Sequence, residues 1–156
     1  MHPDIEALFD DAESRYLKVE ELSVLNQYVD SLPERLEAYR QLRNREVEIM
    51  QPVADELEKA LPNESKERLE RCLKHSILIL RHAAMAMLLN DENYVQHRLL
   101  TWIEKTAKAF NTQSIDRILY PMLDRQLGQV LTPAQINLSK PPLTLAQNAL
   151  LNPTSV

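Results

Sequence analysis

Apolar residues recur three and four positions apart along most of the chain, the spacing of amphipathic helices rather than strands. Ile5, Leu8 and Phe9 follow Pro3, whose place in a first turn needs no N–H, and predict a helix over residues 3–15. Leu22, Leu25 and Val29 share one face of a shorter helix over 19–29. Ser31 followed by Glu34 has the form of an N-cap with its reciprocal acid. A new helix is therefore expected to start there and run to about Leu61, bent or broken near Pro52. Residues 62–65 read as a loop. A helix is expected from about Glu64 to Leu89, stopping near Asn90 and Asp91, with another over Glu92 to about Phe110. A further helix starts near Ser114 and kinks at Pro121. Thr132-Pro133 and Pro141-Pro142 mark a proline-rich connection before a last helix over 143–151.

Composition narrows this picture. The 156 residues suit one domain with its own core. The single glycine argues against hairpins and tight α/β loops and removes every Gly-rich phosphate loop. The fold expected is all-α, with roughly seven or eight helices of unequal length in a globin-like packing. A net charge of −5 speaks against sequence-independent nucleic-acid binding, which needs a concentrated cationic face. The uncharged stretch over 76–80 is far short of a membrane span and the N-terminus is acidic, so neither an anchor nor a secretory signal is expected. One cysteine fits a reducing, cytoplasmic compartment. No pattern of nucleophile, metal ligands or paired carboxylates stands out, and no enzyme is expected.

Cys72, the only cysteine, lies in the long helical run expected over 64–89. With about 100° per residue, Leu69, Leu73, Ile77, Leu80, Ala84 and Met87 fall on one broad side, expected to be core. Arg68, Arg71, His75 and His82 gather on the other side of the cysteine, with Ile79 in line with it. Arg81 points the opposite way. A thiol bordered by cations is expected to have a lowered pKa and to react with electrophiles, while the cations suit carboxylates of a bound molecule. The alternative is a small buried hydrophobe under solvated arginines.

The segment DAESRYLKVEELSVLNQYVDSLPERLEAYRQLRNREVEIM, together with RCLKHSILILR, AKAFNTQ and LTLAQNALL in that order, resembles the phycobilisome protein family, the phycobiliproteins related to phycocyanin and allophycocyanin. The resemblance implies one domain over 1–156: a helical pair over 1–30 that clasps a partner subunit, and a globin-like body over 31–151. It places Cys72 at the family's attachment point for an open-chain tetrapyrrole, a phycocyanobilin-type bilin. Arg68, Arg71 and Lys74 would then pair with propionates, and His75 stands where the family has an aspartate. Lys74 replaces an arginine, while Ile79 and Ala107 replace aromatics. Asp11 and Arg81 match an acid and a base that pair across the family's subunit interface, with Tyr16 beside them.

Two functions follow from that resemblance. One is a subunit of the cyanobacterial light-harvesting antenna carrying a bilin on Cys72. The other is a pigment-free interaction, assembly or regulatory protein of the photosynthetic apparatus that retains the clasp. Either implies association, with itself or a related subunit, in the cytoplasm or at the cytoplasmic face of the thylakoid membrane.

Overall fold

The computed structural model describes residues 2–152. Those residues form helices joined by short turns, with no strand among them. Helix α1 (Pro3–Ala12) is capped by His2, whose Nδ1 accepts from the Asp4 amide at 3.2 Å. Helix α2 (Val19–Asn44) begins where the Glu21 carboxylate accepts from the Lys18 amide at 2.7 Å. The expected restart at Ser31 does not occur, because α2 runs unbroken through Pro33. Ser31 instead donates to the carbonyl of Tyr28 and accepts from Arg35 Nε. Proline forfeits one backbone bond, and burial of Arg35, Ala38 and Leu42 beyond it holds the helix together.

The chain breaks at Arg45 (φ −111°, ψ 16°) rather than at Pro52, which lies inside α3 (Glu46–Ala60). Ile49, Met50, Val53 and Leu57 form the buried face of α3. Helix α4 (Lys66–Leu89) starts on Ser65, whose hydroxyl accepts from the Arg68 amide, and stops at Asn90 in the left-handed conformation (φ 50°). The Arg35 guanidinium and the Tyr28 hydroxyl reach from α2 to the last carbonyls of α4, at Met87 and Leu88, where a cation also complements the helix dipole.

Helix α5 (Asn93–Val95) continues through a π-helical turn (Gln96–Leu100) into α6 (Thr101–Phe110), which stops at Asn111, again at φ 50°. Asparagine thus supplies the two left-handed stops that a glycine-poor chain needs. Helix α7 (Gln113–Val130) contains Pro121. Helix α8 (Pro133–Leu151) is opened by a reciprocal Thr132–Gln135 cap and runs straight across Pro141 and Pro142. The expected proline-rich connection is therefore helix. Burial of Ser139, Pro142, Leu143, Ala146 and Leu150 secures it.

Helix α4 is central, packed against α2, α3, α7 and α8. It is long and apolar enough to span a bilayer by composition, but Cys72, Ile79, Leu80, Ala83 and Met87 are enclosed in the core. The buried face centres on Cys72, Ser76, Ile79 and Ala83, whereas Leu73 and Ile77, expected in the core, are half-buried. Small residues at the centre of that face let the neighbouring helices approach closely. Helix α1 packs on α2, and the first turns of α2 are largely exposed.

Candidate functional site

The sulfur of Cys72 faces into the molecule, and the residue is 0% exposed. The corner between α6 and α7 closes over it with Thr112, Asp116 and Tyr120, all buried. The Asp116 carboxyl is within hydrogen-bonding reach of the thiol and accepts from Thr112 Oγ1 at 2.8 Å. Burial raises the carboxyl's pKa above the usual carboxylate value, opposed by the bonds from Thr112 and Cys72. The Tyr120 hydroxyl, near both groups, has no hydrogen-bond partner among the described residues, and burial raises its pKa too.

Burial first, and then Asp116, push the Cys72 thiol up to about 12. The lowered pKa expected from the cationic border is thus reversed. Arg68 and Arg71 do favour the thiolate, but desolvation outweighs them. Their guanidinium groups are also engaged elsewhere. Arg68 pairs with Glu64 at 2.8 Å and donates to the Asn111 carbonyl at 2.8 Å. Arg71 pairs with Glu67 at 3.3 Å and lies over the Phe110 ring, 3.6 Å from its centroid. His75 meets Trp102 edge-on with ring centroids 5.7 Å apart, and burial, reinforced by Arg71, lowers its pKa. Lys74 is exposed, and Ile79 is 0% exposed beneath the cysteine.

As folded here, the arrangement encloses the sulfur at which a bilin would attach. Two of the cations expected to hold propionates, Arg68 and Arg71, already hold the chain's own Glu64 and Glu67. Asp116, Thr112, Glu64, Glu67, Phe110 and Trp102 are the partners missed in the sequence reading. Glu64 and Glu67 could have been found from their spacing, four residues before Arg68 and Arg71. Asp116 carried a subtler signal, a lone acid on the apolar stripe of Leu119, Tyr120 and Leu123.

On the opposite side of α4, Arg81 is exposed, as its angular position implied, and Glu46 grips its guanidinium at 2.6 and 2.8 Å. Asp11 pairs with Arg15 at 2.8 Å, and Arg15 also reaches Glu21 at 2.8 Å. That bond lowers the Glu21 pKa to about 2. Within one chain, therefore, Asp11 and Arg81 have other partners. Tyr16 is 98% exposed and Val19 78%, with Phe9 and Leu22 about half exposed beside them (51% and 44%). They lie on α1, in the turn that follows it and in the first turn of α2.

The all-helical, globin-like fold defines the class of protein. The sequence profile described as phycobilisome protein matches residues 8–150. The chain belongs to the phycobilisome protein family, and is a phycobiliprotein-like subunit of the light-harvesting apparatus. None of the curated proteins compared with the chain matches it.

Proposed function

We propose that the chain is a pigment-free associating subunit of the phycobilisome antenna, acting in its assembly, docking or regulation rather than in light absorption or catalysis. The enclosed Cys72 carries this reading: its sulfur is buried against Asp116, and its cationic neighbours are bound by Glu64, Glu67 and Phe110. The subunit acts in the cytoplasm, at the antenna or the cytoplasmic face of the thylakoid membrane.

Association runs through α1 and the start of α2, where Phe9, Tyr16, Val19 and Leu22 expose large apolar side chains within a short stretch of chain. The partner is another copy of the chain or a related subunit. In the assembled state Asp11 of one subunit meets Arg81 of the other, displacing Arg15 and Glu46. Sedimentation at tens of micromolar checks this. The expected result is a dimer that Asp11→Ala or Tyr16→Ala weakens about tenfold, or roughly 1.4 kcal/mol. A monomeric wild type that also fails to bind related antenna subunits contradicts it.

A second reading has its own support in family membership, in Cys72, and in the positive charge kept near it by Arg68, Arg71 and Lys74. In it a phycocyanobilin-type bilin is attached at Cys72, His75 takes the place of the family's aspartate, and the α6–α7 corner opens to admit the pigment.

A further inference from the structure

Half-buried Leu73 and Ile77 mark a second working face of α4. Between α3 and α4, two adjoining depressions of about 230 and 220 Å3 share Gln51, Ala54 and Leu73 and so form one groove. Its floor is apolar, made by Met50, Ala54, Leu73 and Ile77, with Val47 at one end 75% exposed. Its walls are acidic: Asp55 and Glu58 come from α3 and Glu70 from α4, against Lys66 as the lone cation of that half. At the other end Glu46 is neutralised by Arg81.

We propose that this groove docks one amphipathic helix of a partner protein, apolar along one face and rich in lysine or arginine along its flanks. The floor runs beside α3 from Val47 to Glu58, a distance of about 17 Å at 1.5 Å per residue, which takes about three helical turns. A helix with apolar side chains at i, i+3, i+4 and i+7 places them on such a floor and leaves its flanking residues against the walls. The walls choose the sign of those residues. Glu58 and Glu70 are exposed and engaged by no cation of the described residues, so a cationic flank is attracted and an acidic one repelled. This sign disfavours α1 of a second copy, which brings Asp4, Glu6, Asp10 and Asp11, along the half walled by Asp55, Glu58 and Glu70. With its Asp11 on Arg81, such a copy meets only the Glu46 end, and the acidic half serves a different partner.

The test uses the full chain and a fluorescein-labelled peptide of about 14 residues, ~21 Å as a helix, with leucine at the four anchor positions and lysine elsewhere. Fluorescence anisotropy at about 0.15 M salt is expected to show saturable binding. The paired reversal Glu58→Lys with Glu70→Lys, and separately Val47→Lys, are each expected to weaken it about tenfold or more, and all three positions are exposed enough to leave folding intact. A peptide with glutamate in place of lysine is expected not to bind. Equal binding of a scrambled peptide of the same composition overturns the proposal, as does undiminished binding to the charge-reversed chain or no saturable binding at all. Loss of a self-dimer on the paired reversal also overturns it, by making the acidic half an interface between copies.

Discussion

Cys72 and Asp116 set each other's chemistry from different ends of the chain. Because the thiol is held up at about 12, little of it is thiolate at pH 8, and alkylation is expected to be roughly a thousandfold slower than in the unfolded chain. Timed iodoacetamide labelling in buffer and in denaturant checks this, and equal rates contradict it. Asp116 makes a prediction of opposite character. Its native pKa lies above the unfolded value, so the native state holds the proton more tightly and loses stability as pH rises through that window. Asp116→Asn removes the ionisation while retaining an acceptor for Thr112. The variant's melting temperature is therefore expected to gain on the wild type as pH rises above about 4, where the unfolded aspartate ionises, and a gap that shrinks with rising pH contradicts the assignment. A helical wheel finds which way Cys72 points, but it cannot say what lies opposite. The sequence reading surrounded the thiol with its own helix's cations, and the decisive acid came from α7.

At the scale of elements, the chain's punctuation is carried by asparagine more than by proline. The ends of α4 and of the stretch closing at Phe110 were legible, because Asn90 and Asn111 follow strong apolar periodicity. The prolines misled at Ser31–Pro33, at Pro52 and at Pro141-Pro142. A proline inside a long helix costs one or two backbone bonds, and buried neighbours on both sides outweigh that loss. Arg45, which ends α2, carried no such signal. If asparagine is the stop, Asn90→Ala is expected to cost roughly 1–2 kcal/mol, since alanine is strained at φ 50°, while Asn90→Gly is expected to be neutral or stabilising. Urea titrations of the two variants check it, and equal midpoints contradict it.

The whole molecule presents distinct faces around one central helix. The Cys72 side of α4 is closed by α7, the Leu73–Ile77 side opens to a groove with acidic walls, and the Arg81 side shows an arginine held by Glu46. The class of fold was legible from helical spacing and the lack of glycine. The order of motifs along the chain made the family legible too. Whether a pocket exists at Cys72 was not, because packing around a site depends on residues distant in sequence. The account's central claim is that this subunit keeps a surface for association without a pigment. Intact mass and a visible spectrum of the protein isolated from bilin-producing cells test it most directly. The account predicts the mass of the polypeptide with Cys72 free and no visible band. A tetrapyrrole adduct on Cys72, with absorbance that stays with the denatured chain, would contradict it.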